Sequence, residues 1–130
     1  MGAQGYCMGG PMALRTAAAV PDRVGAIASF HGGGLVTDKP DSPHLLAAHV
    51  KARMYFGIAS NDDERQPEAK TVLKDVFAKA GVPAEIEVYP ARHGWCVPDM
   101  PVEKGAPIYD ATQAERAWGK LLALYETALA

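Results

Sequence analysis

The sequence predicts an α/β fold, a parallel sheet flanked by helices on both faces. Three observations carry that expectation. Two runs, VGAIASF at residues 24–30 and RMYFGIA at Arg53–Ala59, are almost wholly apolar, as strands buried on both faces are. Segments with helical composition or helical spacing follow them. The order strand, helix, strand, helix, strand, helix then requires parallel pairing.

Taken in chain order, residues 8–19 are rich in Ala, Leu and Met, and Pro21-Asp22 closes them as a helix. The strand at 24–30 is broken by Gly32-Gly33-Gly34. Residues 43–50 suit a short helix. The strand Arg53–Ala59 leads into a polar loop, Ser60-Asn61-Asp62-Asp63-Glu64. Over residues 67–80 the apolar positions Ala69, Val72, Leu73, Val76, Phe77 and Ala80 trace one stripe, which Gly81-Val82-Pro83 ends. AEIEVY at Ala84–Tyr89 alternates as an edge or half-covered strand does. Residues 90–107 read as a loop. Asp110 with Gln113 resembles a capping box, opening a helix whose core face would hold Ala114, Ala117, Trp118, Leu121 and Tyr125.

A chain of 130 residues, 48% hydrophobic and 22% charged, fits one soluble domain spanning residues 1–130. A net charge of −2 gives no footing for nucleic acid or an anionic membrane surface as partner. No apolar run nears the ~18 residues of a membrane span. Met1-Gly2-Ala3-Gln4-Gly5 has neither the basic nor the apolar region of a signal peptide, so the expected location is cytoplasmic. Two cysteines, Cys7 and Cys96, do not make a disulfide scaffold.

Chemistry concentrates at three places. GYCMGG at residues 5–10 stands between a strand end and a helix start, the G-x-S-x-G nucleophile elbow with cysteine in the serine position. Such a strained turn wants very small residues two before and two after the nucleophile, roles for Gly5 and Gly9. It would set the Cys7 sulfur over the positive end of the helix, which favours a thiolate. The Met8 N–H would point at an oxyanion on the attacked carbonyl. Folds with this elbow place an acid after a later strand and a histidine after the next. Asp62 follows Arg53–Ala59, and His93 follows Ala84–Tyr89. Asp63 competes with Asp62 for the acid role, and Asp62 is preferred. Gly94 would let the loop turn beneath the imidazole.

Against these stand plainer readings: a small thiol in a tight turn, a surface histidine, a solvated turn aspartate. Each suffices alone, but the three in the right order and loop types do not suit coincidence.

With those motifs in place, the chain resembles the dienelactone hydrolase family of α/β-hydrolases. The resemblance rests on GYCMGG, on SFHGGGLVTD at 29–38, SPHLL at 42–46, YFGIASND at 55–62 and YPARHGW at 89–95, with an aromatic-bearing helix after VPD at 97–99. It implies an α/β-hydrolase sheet lacking its N-terminal strands, and a Cys7-Asp62-His93 triad. The triad would cleave small carboxylic esters or lactones through a thioester, with no cofactor and no metal. Family members hold the substrate carboxylate with arginines, one of them four residues after the triad histidine. That position is Val97 in this chain, so dienelactone itself is not carried over.

In the expected mechanism His93 takes the thiol proton, or already holds it as an ion pair, and Asp62 orients the imidazole. The second oxyanion donor usually comes from a loop upstream of the nucleophile, where only six residues stand. His31-Gly32-Gly33-Gly34 mimics such a loop but lies downstream, and that role is rejected. A natural start upstream of Met1 is therefore expected. His31, His44, His49, His93 and Cys96 lack the paired spacing of a zinc site. Cys96 reads as packing, with oxidation against Cys7 as an alternative. Trp95 and Tyr6 line the acyl pocket or pack beside the elbow. Two rivals to ester hydrolysis remain: thioesterase or acyl-transfer chemistry on the same triad, and a non-catalytic remnant that folds by self-association, for instance as a homodimer.

Overall fold

The computed structural model describes residues 1–103 and 105–129. Strands β1 (Gly2–Tyr6), β2 (Ala26–Phe30), β3 (Arg53–Ala59) and β4 (Ala84–Tyr89) form one sheet in the order β1-β2-β3-β4. All three pairings are parallel, with Tyr6 opposite Phe30, Phe30 opposite Gly57, and Ala59 opposite Tyr89. The strand ends that carry loops to the same edge are thus brought level.

Helices α1 (Gly9–Ala19), α2 (Ser60–Arg65), α3 (Ala69–Lys79) and α4 (Ala111–Leu129) and a 3₁₀ helix at Pro43–His49 complete the architecture. The pleat sends alternate side chains of β2 and β3 to opposite faces. Ile27, Met54 and Phe56 join Leu14, Leu73 and Phe77 in a core under α1 and α3. Ala28, Phe30 and Tyr55 join Tyr89, Trp95, Ala117 and Leu121 in a second core under α4. Parallel sheet, flanking helices and two buried faces match the fold read from the apolar runs.

Four local readings need correction. The segment after β3 is not a loop but the helix α2, with Asp62 and Asp63 in its first turn. Acidic residues in a first turn suit the positive end of a helix, which a count of polar residues does not register. Within the stretch read as a loop, a small antiparallel hairpin joins β5 (Val102–Glu103) and β6 (Ala106–Pro107). The core face of α4 is Ala117, Leu121 and Leu124, with Ala114 and Tyr125 packed against the same core as expected, while Trp118 is 52% exposed. One helical residue turns a side chain by about 100°, enough to carry Trp118 out of the seam. Asp110 does cap α4, its Oδ1 accepting from the Gln113 N–H at 3.1 Å, but Gln113 Oε1 accepts from Arg116 instead of completing a box.

No helix of the described residues is long and apolar enough to cross a membrane.

Candidate active site

The site lies at the carboxyl edge of the sheet, where parallel α/β folds collect their ligands. Cys7 leaves β1 at φ +54° and His31 leaves β2 at φ +40°; among the described residues they are the non-glycine positions with positive φ. Each occupies left-handed backbone that costs a residue with a Cβ about 1 kcal/mol or more. Because Tyr6 and Phe30 are paired, the two strained residues face each other across neighbouring strands.

The elbow is tight for a reason the motif only half states. A Cβ on Gly5 would lie 1.9 Å from the Gly9 carbonyl oxygen. A Cβ on Gly9 would meet nothing within 4 Å, so the expectation that Gly9 must be small fails. The crowded residue after the nucleophile is Gly10, whose Cβ would lie 2.3 Å from Ser29 Oγ and 3.0 Å from the Gly32 Cα. Helix α1 packs its first turn against the end of β2 at Gly10, while Gly9 faces away.

Asp62 and His93 meet. His93 Nδ1 lies 2.7 Å from Asp62 Oδ2, whose second oxygen accepts from Arg65 at 2.6 Å. Asp63 turns instead to Lys70 Nζ at 2.6 Å. Three bonds set the His93 loop against the start of α2. The Ser60 N–H and Oγ–H both donate to the Ala91 carbonyl, and Asn61 Oδ1 accepts from the His93 N–H at 2.8 Å. Gly94 follows at φ +98°, the turn expected beneath the imidazole. Asn61 was not singled out from sequence, because a polar residue beside two aspartates carries no signal that its side chain holds a neighbouring loop.

The sulfur of Cys7, a ring nitrogen of His31 and a ring nitrogen of His93 lie within 4.8 Å of one another. His31 was the loop residue set aside in sequence, yet it is fully buried, with Nδ1 3.3 Å from Cys7 Sγ. Its Nε2 accepts from the Cys96 N–H at 3.4 Å, and its ring meets Trp95 edge-on at 4.9 Å. The one hint in the sequence was a histidine immediately after a fully apolar strand.

Burial, with the neighbouring Asp62 charge, pushes the Cys7 thiol above its ordinary pKa. This acts against the thiolate that the start of α1 would favour. Burial and His93 push His31 down to about 4, leaving it neutral at physiological pH. Cys96, also free, is pushed up to about 12 by burial and by Cys7.

Trp95 is fully buried and stacks on Tyr89 at 4.6 Å, so it packs and does not line an open pocket. Tyr6 is 36% exposed and stacks on Phe30, leaving one edge toward the site. One cavity, about 400 Å³, lies between α4 and the opposite ends of β3 and β4, lined by Arg53, Glu85 and Lys120 among others, and Cys7, Asp62 and His93 do not line it. Cys7, His31 and His93 are donor types for a soft metal ion, although sequence spacing gave no such pairing. For His31 Nδ1 to bind a metal its proton would have to sit on Nε2, against the Cys96 N–H, so the donor set fits poorly.

The chain matches the dienelactone hydrolase family over residues 1–129. The chain belongs to that family. It is 29% identical over 135 aligned positions to an Aquifex aeolicus protein provisionally named carboxymethylenebutenolidase, covering 99% of this chain and 52% of that protein. It is 27% identical over 128 positions to protein usf of Aquifex pyrophilus, covering 97% of this chain and 50% of that protein. A Klebsiella pneumoniae structure provisionally named dienelactone hydrolase superposes with a TM-score of 0.80 at 22% identity, over 96% of this chain and 51% of that one. The last likeness establishes the fold, an α/β-hydrolase sheet. The chain thus spans about half the length of these relatives.

Proposed function

We propose that the chain hydrolyses small, uncharged carboxylic esters or lactones through a thioester on Cys7, with His93 as base and Asp62 orienting it. The observation that carries this reading is the 2.7 Å contact between His93 Nδ1 and Asp62 Oδ2, with a His93 ring nitrogen within 4.8 Å of the elbow sulfur. With Nδ1 held by the carboxylate, Nε2 is the nitrogen left for the thiol.

With burial and the Asp62 charge both raising the Cys7 thiol, His93 removes its proton as the sulfur attacks, in preference to holding a standing ion pair. The S–C bond forms and the carbonyl becomes an oxyanion. The Met8 N–H, which has no acceptor among the described residues, is a donor for it. His93 then returns its proton to the departing alkoxide. In the second half-reaction His93 takes a proton from water, hydroxide attacks the thioester, and the thiol leaves reprotonated. No cofactor enters either half. Val97 supplies no cation for a substrate carboxylate, which supports uncharged substrates.

His31 is closer to the sulfur but is the weaker base. It has no carboxylate partner, and burial holds its protonation near pH 4. The same triad would serve a thioesterase or acyl transferase, depending on what enters the open site. A second reading, a chain that needs a partner copy before it can act, is favoured by β1, which among the described residues pairs on one side alone in the order β1-β2-β3-β4.

The test is p-nitrophenyl acetate turnover by the chain beside its Cys7→Ala and His93→Ala forms. Turnover should fall about 10²–10⁴-fold in His93→Ala and reach background in Cys7→Ala. Equal rates in all three would overturn the proposal.

A further inference from the structure

The buried histidine under the elbow has a backbone N–H directed at each ring nitrogen, and the two donors differ in what else they can reach. A neutral imidazole has one N–H and one acceptor nitrogen. Cys96 N–H points at Nε2 from 3.4 Å, and it has no other acceptor among the described residues. Were Nε2 protonated, two donors would face each other in a buried place, a cost of about 1–3 kcal/mol. Cys7 N–H likewise points at Nδ1, from 3.2 Å, but it also reaches the Phe30 carbonyl at 3.1 Å and so keeps an acceptor when Nδ1 carries the proton. With the proton there, Nδ1–H reaches Cys7 Sγ at 3.3 Å and Cys96 N–H keeps Nε2.

Building on the reading of Cys7 as nucleophile and His93 as base, we propose that His31 is a positioning residue. Its Nδ1–H donates to Cys7 Sγ, so that the thiol proton is aimed at His93 and the sulfur keeps a donor once that proton has left. During attack one proton moves from Sγ to His93, while His31 keeps its own throughout. The strained backbone at His31 (φ +40°) and at Cys7 (φ +54°) is what turns the ring and the sulfur toward each other. Trp95 and His93 close on the ring at 4.9 and 5.5 Å and hold it there. The titratable groups around the sulfur are His31, His93 with Asp62 behind it, and Cys96, with Tyr6 beyond His31.

Two shorter side chains separate the two edges of the ring. In His31→Asn the amide NH₂ can stand near Nδ1, and asparagine tolerates positive φ. In His31→Gln the longer side chain brings its amide near Nε2 instead. The rate of iodoacetamide labelling at Cys7, mapped by peptide mass spectrometry across pH, should titrate about one unit higher in His31→Gln, with labelling about tenfold slower below the midpoint. His31→Asn should stay close to the parent profile. Identical profiles for the two variants overturn the proposal. Should either variant fail to fold, ¹⁵N shifts of the His31 ring in the unsubstituted chain decide the matter. A proton on Nδ1 supports the proposal and one on Nε2 ends it. Failure of the underlying reading looks different: turnover would then ignore His93→Ala while the His31 effect on labelling persisted.

Discussion

A methyl group at position 5 and one at position 9 should have opposite consequences, although both glycines belong to the same motif. The Gly9 carbonyl oxygen stands 1.9 Å from where a Gly5 Cβ would be, and it is backbone at the start of α1. Relief requires moving either the helix or β1, so Gly5→Ala should cost about 3 kcal/mol and bring down the elbow with it. Nothing stands within 4 Å of a Gly9 Cβ, and Gly9 is the first residue of α1. Gly9→Ala should therefore leave stability unchanged or raise it by about 0.5 kcal/mol, since alanine is the better helix former. Urea unfolding of the two variants checks this, and equal losses would return both glycines to one role.

At the scale of elements, α4 is fastened to the sheet by a polar network as well as by its apolar seam. Tyr55 OH lies 2.6 Å from Tyr89 OH and donates to Glu87 at 2.9 Å; Arg116 and Lys120 of α4 reach the same carboxylate. Arg116 also lies 4.4 Å over the Tyr89 ring. Burial pushes the Glu87 carboxyl up, but hydrogen bonds shared with Glu85, Tyr55 and Lys120 outweigh it and hold it below its ordinary value. A depressed carboxyl stabilises the folded state above its unfolded pKa and ceases to as pH falls through the native one. Glu87→Gln should thus lower Tm by about 4 °C at pH 7, and the gap should close below about pH 4. A gap constant across that range would mean the network acts by packing alone. The same elements show what the chain discloses by itself. Arg53–Ala59 and Ala84–Tyr89 were legible to the residue, because an apolar or alternating run needs no partner to be recognised. Asp62 and His93 were legible because topology fixes which loops meet. Helix α2, the facing of Trp118 and the burial of His31 beside Cys7 were not. Each depends on a neighbour brought from another part of the chain: the Ala91 loop, the rotation of α4, and the elbow.

For the whole molecule the open question is the free side of β1. Met1 O and Cys7 N bond across to the β2 segment, so alternation turns the main-chain groups of Gly2, Gln4 and Tyr6 outward. An edge strand with unpaired N–H and C=O groups is a template for another strand. The family relatives are about twice as long as this chain. Self-pairing through β1 is the cheapest way for two copies to satisfy that edge, and it would put their two elbows at one seam. On this account sedimentation velocity should show a dimer whose fraction rises with concentration. Gln4→Pro deletes one outward N–H without touching the β2 side, and should shift the equilibrium toward monomer. Gln4→Ala is the control: it loses the same 2.6 Å bond from Tyr125 but keeps the N–H, and should behave as the parent does. If both variants dissociate alike, the Tyr125 contact and not the strand edge joins the copies. If the parent is monomeric at all concentrations, β1 stands open, and turnover by that monomer would then show that the carboxyl edge of four strands suffices to assemble the site.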